Sequence, residues 1–129
     1  MSTDPPITRA DRRTSLDTPG SNATTPIATP SLGAAEVLVV RQEQAPGGAN
    51  PPHTKSREAL VLVLDGRVTV EVDGTQHELG ADDSIVVPAG AVNRTVNAGP
   101  TPARWLVVTA APVTFASPDG TPVEPAWAR

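Results

Sequence analysis

The stretch 46–66, PGGANPPHTKSREALVLVLDG, restricts what this chain can fold into more than any other. A Pro-Gly-Gly turn and a Pro-Pro-His-Thr-Lys segment lead into six consecutive apolar residues, Ala59 to Leu64, which Asp65-Gly66 stops. An apolar run of that length between turn signals suits a strand covered on both faces. One imidazole, His53, and one ammonium, Lys55, therefore sit just upstream of a core strand, at the mouth or wall of a cavity.

Around that strand the period is two. Residues 36–44 (EVLVVRQEQ) are strand-like with a polar second half, so either Arg41 and Glu43 or Gln42 and Gln44 face an interior. In 67–72, Val68, Val70 and Val72 share one face and Thr69 and Glu71 the other. Asp73-Gly74 is a strong hairpin signal, because Gly tolerates positive φ, and 75–79 returns along it. A short strand at 84–87 ends at Pro88-Ala89-Gly90, and further strands fall near 94–97 and 105–109. The Pro-rich end, 111–129, is tacked to the body by Val113, Phe115 and Trp127. Short strands at regular spacing, Gly/Pro turns and no helical period predict an all-β antiparallel barrel or jelly roll. Both faces of 59–64 need cover and a barrel interior covers only one, so a homodimer is expected.

Residues 1–34 read as a flexible Pro/Ser/Thr-rich tail ahead of a single domain at 35–129. Pro5, Pro6, Pro19, Pro26 and Pro30 interrupt a segment whose apolar residues have no useful period, so little burial offsets the ordering entropy. The last residues of the tail can still add an edge strand to a partner subunit.

With 129 residues, 38% of them hydrophobic, the chain supports one core. The absence of cysteine removes disulfides, thiolate nucleophiles and thiolate metal sites. A net charge of −4 argues against nucleic acid or an anionic membrane as partner. No apolar run approaches the roughly 18 residues of a membrane span, and the N-terminus carries no signal-like apolar region, so a cytoplasmic location is expected. Lys55 is the only lysine.

Two spaced motifs then resemble the cupin superfamily. Its first motif runs Gly, five residues, His, one, His, three or four, Glu, six, Gly. Gly47, His53, Lys55, Ala59 and Gly66 fall on that frame without a gap, and the two glycines and His53 keep the family's identity. The second motif runs Gly, five, Pro, one, Gly, two, His, three, Asn. Asp82, Pro88, Gly90, Asn93 and Asn97 fall on it, with Pro88, Gly90 and Asn97 matching. The resemblance covers about 37–112 and implies a single-domain cupin-type antiparallel β-barrel. In cupins, two His and a Glu of the first motif and the His of the second hold one divalent metal. Those positions are His53, Lys55, Ala59 and Asn93 here, and one imidazole plus an amide beside an ammonium does not retain a transition metal. The expectation is a degenerate site with no metal and no cofactor.

What remains is His53, Lys55 and Asn93 converging where the metal would have been. Burial lowers a lysine pKa, so Lys55 can act as general base or Schiff-base amine, or as an ammonium that holds a carboxylate or enolate. His53 can move protons and Asn93 can orient a carbonyl. Lys55 and His53 are the expected catalytic residues, with Asn93, Arg41, Trp105 and Asn97 binding substrate. The expected function is a metal-independent cupin enzyme on a small carbonyl-bearing molecule, of cyclase, isomerase or dehydratase type, such as polyketide tailoring in secondary metabolism. A non-catalytic ligand-binding barrel and a metal-dependent cupin with atypical ligands are the alternatives.

Overall fold

The computed structural model describes residues 4–129. Among them the chain is all-β, with only short 3-10 turns before, between and after the strands. The strands are β1 (Leu16–Thr18), β2 (Asn22–Ala28), β3 (Val37–Gln44), β4 (Thr54–Lys55), β5 (Ala59–Asp65) and β6 (Val68–Val72). They continue with β7 (Thr75–Leu79), β8 (Ser84–Val87), β9 (Asn93–Val96), β10 (Ala103–Ala110), β11 (Phe115–Ala116) and β12 (Pro122–Val123). They form one six-stranded sheet, β1-β2-β3-β10-β5-β8, and two three-stranded sheets, β7-β6-β9 and β12-β11-β4. Each pairing is antiparallel, and the result is the jelly-roll barrel that the strand spacing predicts.

β5 is central because it is apolar on both faces. Ala59, Val61 and Val63 point inward and are buried, while Leu60, Leu62 and Leu64 face outward and stay half-buried. Val68 and Val70 of β6 meet Val61, Val63 and Trp105 across the interior, with Val87, Ala91 and Ala103 completing the cluster. Each fully buried valine contributes about 1.5–3 kcal/mol. Trp105, 1% exposed, is the largest fully buried side chain and fills the space that a chain poor in aromatics leaves between the sheets.

The two Asp-Gly pairs do different work. Asp73 and Gly74 have φ of 47° and 83°, the left-handed pair that a tight β6–β7 hairpin needs. Asp65-Gly66 does not close a hairpin. β5 pairs with β10 and β8 while β6 pairs with β7 and β9, so this turn carries the chain from one sheet to the other. A Cβ at Gly66 would meet the Pro102 carbonyl oxygen at 2.8 Å, so the corner requires glycine for space as well as for its φ of 78°.

The N-terminal segment differs from the expected tail; residues 1–3 lie outside the described residues, but 16–18 and 22–28 are strands of the main sheet. β2 pairs with β3 of its own chain, Asn22 opposite Gln44 and Thr24 opposite Gln42. The order comes from polar pairing rather than apolar burial. Thr24 Oγ1 donates to Gln42 Oε1 at 2.7 Å, Gln44 Nε2 donates to Asn22 Oδ1 at 2.9 Å, and Ser15 and Thr25 hydroxyls lie 2.6 Å apart. The polar half of β3 and the polar β2 thus answer each other, a match invisible to a search for apolar periodicity.

Deleting residues 1–28 strips a whole strand from β3 and leaves Gln42 and Gln44 without these partners. The truncated chain is expected to melt at least roughly 5–10 °C lower, equivalent to about 2 kcal/mol, in a thermal scan followed by circular dichroism. An unchanged melting temperature would show that β1 and β2 contribute nothing to the fold.

Candidate functional site

Lys55 is placed by the shortest of frameworks. The two-residue β4 pairs with β11, Lys55 opposite Phe115, and the Lys55 carbonyl accepts the Gly90 N–H at 2.8 Å. This fixes the backbone and turns the side chain inward, where it is 7% exposed. His53 is fixed from the other side by an isolated bridge to Asn93, with N–H to carbonyl distances of 3.0 and 2.9 Å. Successive strand residues alternate faces, so positions 53 and 55 share one.

Lys55 Nζ lies 3.0 Å from His53 Nε2. His53 Nδ1 lies 3.0 Å from the Pro51 carbonyl, which can only accept, so the ring proton sits on Nδ1 and Nε2 receives the lysine N–H. Among the described residues no carboxylate forms an ion pair with Lys55. Burial therefore acts unopposed and lowers the Lys55 pKa from 10.5 to about 8. His53 is lowered from 6.5 to about 4, first by burial and then by the neighbouring ammonium, against a smaller opposite effect of the Pro51 hydrogen bond. At neutral pH the pair is an ammonium donating to a neutral imidazole.

The pair opens into a cavity of ≈ 430 Å³. Val61, Val107 and Phe115 give it apolar walls, Trp105 and Gln42 stand on the six-stranded sheet, and Asn93 and Thr95 line it from β9. The C-terminal segment covers one side, where Trp127 meets Phe115 edge-to-face with ring centroids 5.3 Å apart. So His53, Lys55, Asn93 and Trp105 do come together. Asn93 plays a different part from the one expected: its amide nitrogen donates to the His53 and Ala91 carbonyls, both at 3.2 Å. Both amide protons are used, and only Oδ1 remains, an acceptor that cannot orient a substrate carbonyl.

Two expected substrate-binding residues lie elsewhere. Arg41 alternates with Val40 and Gln42, which line the cavity, and so falls on the outer face of β3. Asn97 is fully buried and structural. Its Nδ2 donates to the Gln44 and Thr101 carbonyls at 3.1 and 2.9 Å, and its Oδ1 accepts the Gly99 N–H at 3.1 Å. The terminal segments supply Leu16, Asp17, Phe115 and Trp127, which sequence reasoning did not place at the site. β1 is carried there by its hairpin with β2, which pairs with the distant β3; Phe115 arrives through the pairing of β11 with β4, and Trp127 through its ring contact with Phe115.

The donor set does not fit a divalent metal. Among the described residues no three His, Asp or Glu side chains are grouped so that they could hold a metal ion. His53 Nε2, the one imidazole lone pair available, already faces Lys55; Ala59 has no donor and Glu58 is exposed. A cation here would face an ammonium with one or two neutral ligands, too few to hold it.

The lysine leaves a signature in stability. Between about pH 8 and 10.5 the unfolded chain keeps the Lys55 proton that the folded chain has lost. Unfolding then takes up a proton, so stability rises with pH across that window. With no Cys, no Tyr and a single Lys, no other side chain titrates there. Denaturant unfolding is expected to show a gain of up to roughly 3 kcal/mol over this range, absent in Lys55→Met. Parallel curves for the two proteins would contradict the burial of the amine. His53 acts in the same sense lower down, its contribution rising from about pH 4 to 6.5.

Comparison with known proteins agrees with this architecture. A family model described as "Cupin domain" matches residues 40–109. Germin-like protein 5-1 of Oryza sativa subsp. japonica is 39% identical over 83 residues, 60% of this chain and 38% of that protein. The rhicadhesin receptor of Pisum sativum is 38% identical over the same length and shares. The chain thus spans well under half the length of these curated relatives. Among solved structures, a polyketide cyclase from Streptomyces resistomycificus superposes with a TM-score of 0.70 at 23% identity, covering 83% of this chain and 82% of that one. An RmlC-like cupin from Shewanella frigidimarina superposes equally well at 20% identity, covering 81% and 88%. The matched family model spans the strands that carry His53, Lys55 and Asn93, and the protein belongs to the cupin domain family.

Proposed function

We propose that the protein is a metal-independent cupin enzyme that performs proton-transfer chemistry on a small carbonyl-bearing molecule, of the cyclase, isomerase or dehydratase type. The observation that carries this is Lys55 Nζ, buried at the cavity wall with His53 Nε2 as its hydrogen-bond partner and no ion-pair partner among the described residues. A buried cation with no carboxylate is costly to keep as mere structure. It becomes useful when an anion or a developing oxyanion arrives.

In the base form, Lys55 takes a proton from the carbon beside a ligand carbonyl. The C–H electrons pass into the carbonyl group, giving an enolate that the new ammonium stabilises. In a cyclisation the enolate carbon attacks a second carbonyl, one C–C bond forms, and Lys55 returns its proton to the resulting alkoxide. In an isomerisation the same proton returns to a different carbon. His53 stays neutral throughout, because the adjacent ammonium and burial both disfavour a second charge. Its lone pair holds one lysine N–H and so aims the remaining two N positions at the cavity.

The test needs no knowledge of the natural substrate. Incubated in D2O with pyruvate or a cyclic 1,3-diketone, the protein is expected to accelerate α-proton exchange, followed by proton NMR. Lys55→Ala is expected to lose at least about 100-fold of that acceleration, with fold unchanged by circular dichroism. His53→Gln should retain part of it. Exchange at the buffer rate in the wild-type chain, or an equal rate in Lys55→Ala, would overturn the catalytic reading and leave a binding barrel.

Assembly as a homodimer belongs to the same proposal. Leu60 and Leu62 on the outward face of β5 lie in the sheet beside Val86 of β8, which is 56% exposed. A second copy of the same face is the cover this chemistry suits. Sedimentation velocity should give twice the 13.3 kDa chain mass, and Val86→Glu should give the single chain; a monomeric wild type would contradict this part.

A further inference from the structure

The cavity wall formed by the six-stranded sheet, a different sheet from the one that carries Lys55, holds two hydrogen-bond donors without a protein partner among the described residues. Gln42 and Trp105 are direct partners in the β3–β10 register, and both line the cavity. The direction of the Gln42 amide is set from the N-terminal strands. Thr24 Oγ1 donates to Gln42 Oε1 at 2.7 Å, and the Thr18 and Thr24 hydroxyls lie 3.1 Å apart. Thr24 spends its proton on Gln42, so Thr18 donates to Thr24 and the relay runs one way, Thr18 to Thr24 to Gln42. Thr24 is fully buried, so water does not compete for this contact. The relay consumes the Gln42 carbonyl and leaves its NH2 without a protein partner among the described residues. The indole N–H of Trp105 likewise has no protein acceptor there, although the ring is 1% exposed. Both residues line the cavity, so an acceptor that enters it can take these donors.

We infer that Gln42 and the indole N–H of Trp105 form a donor-only subsite for a second oxygen of the ligand, facing the oxygen or carboxylate that Lys55 receives. This rests on the proposed role of Lys55 and narrows the substrate class. The ligand carries two acceptor oxygens at separate edges of a largely apolar, planar body. A ≈ 430 Å³ cavity suits a body of about two or three fused rings. Asn93 Oδ1, the remaining acceptor on the Lys55 side, adds a preference for a hydroxyl or enol next to the first carbonyl. Thr24 is a positioning residue, because it touches the amide and not the ligand.

Two probes separate the halves of the site: 2-naphthoate, with one carboxylate for Lys55, and 6-acetyl-2-naphthoate, which adds a ketone at the far edge. Calorimetry at pH 7 is expected to show the acetyl compound binding roughly tenfold more tightly to the wild-type protein, the size of one hydrogen bond to a buried donor pair. Gln42→Leu should reduce that ratio to about one while leaving 2-naphthoate affinity within about twofold. Gln42→Glu, which presents an acceptor in place of the donor, should invert it. Thr24→Val should lower the ratio without contacting either probe. Should Gln42→Leu fail to fold, Gln42→Met carries the same comparison. A ratio unchanged by both Gln42 variants overturns the subsite. Lys55→Met reads the other half: a loss of at least tenfold for both probes supports the amine as the anion site. Wild-type affinity for 2-naphthoate in that variant overturns the Lys55 reading and leaves the Gln42 comparison standing.

Discussion

The contact between an ammonium and a neutral imidazole inside an apolar barrel is the constraint from which the site follows. A group that is a cation near neutrality and one that becomes a cation just below it sit 3.0 Å apart, and among the described residues no carboxylate forms an ion pair with either. Burial settles the conflict by driving both pKa values down, and the neighbouring amine adds to the effect on the imidazole. One proton is then shared unequally between a strong and a weak base. The Pro51 carbonyl decides which nitrogen is which, by holding the Nδ1 proton and leaving Nε2 to face the lysine. That is why a segment with two prolines, apparently a mere loop, belongs to the chemistry.

The barrel is built so that this contact cannot relax. Lys55 lies on a strand of two residues, but it is gripped by β11 on one side and by Gly90 on the other. Asn93 spends both amide protons on the main chain around His53 and acts as a clamp. Beneath them, Trp105 and the valines of β5 and β6 fill the interior with side chains that have few rotamers, so the polar groups above stand on a rigid floor. The opposite wall depends on polar pairing between β2 and β3, where Gln44 Oε1 is a buried acceptor without a partner among the described residues. The site thus joins two kinds of order, an apolar core and a hydrogen-bonded N-terminal sheet edge.

Much of the barrel was legible from period-two alternation and turn residues. The 59–64 run, the alternating valines of 68–72 and Asp73-Gly74 each correspond to the strand or turn that their chemistry requires. The convergence of His53, Lys55 and Asn93 was legible as well, because motif spacing encodes strand register. Three things were not. Residues 16–28 looked like a tail, since Thr and Asn signal order only when a matching polar strand is known, and that strand lies about 20 residues on in the polar half of β3. Asp65-Gly66 marks the end of its strand but not where the chain goes next, because a turn residue reports its own φ and not the sheet its strands join. Asn97 and Arg41 looked like site residues, but strand facing is settled by pairing partners that local sequence does not name.

The state of the amine is the central claim, and this chain allows it to be read without interference. With one lysine in 129 residues, [13C-ε]lysine labelling yields a single resonance whose shift follows the Lys55 proton directly. A titration midpoint near pH 8 is the expected result for an amine buried beside a neutral imidazole. A midpoint near 10.5, the value of an amine in water, would place Lys55 outside the barrel and contradict the account at its root.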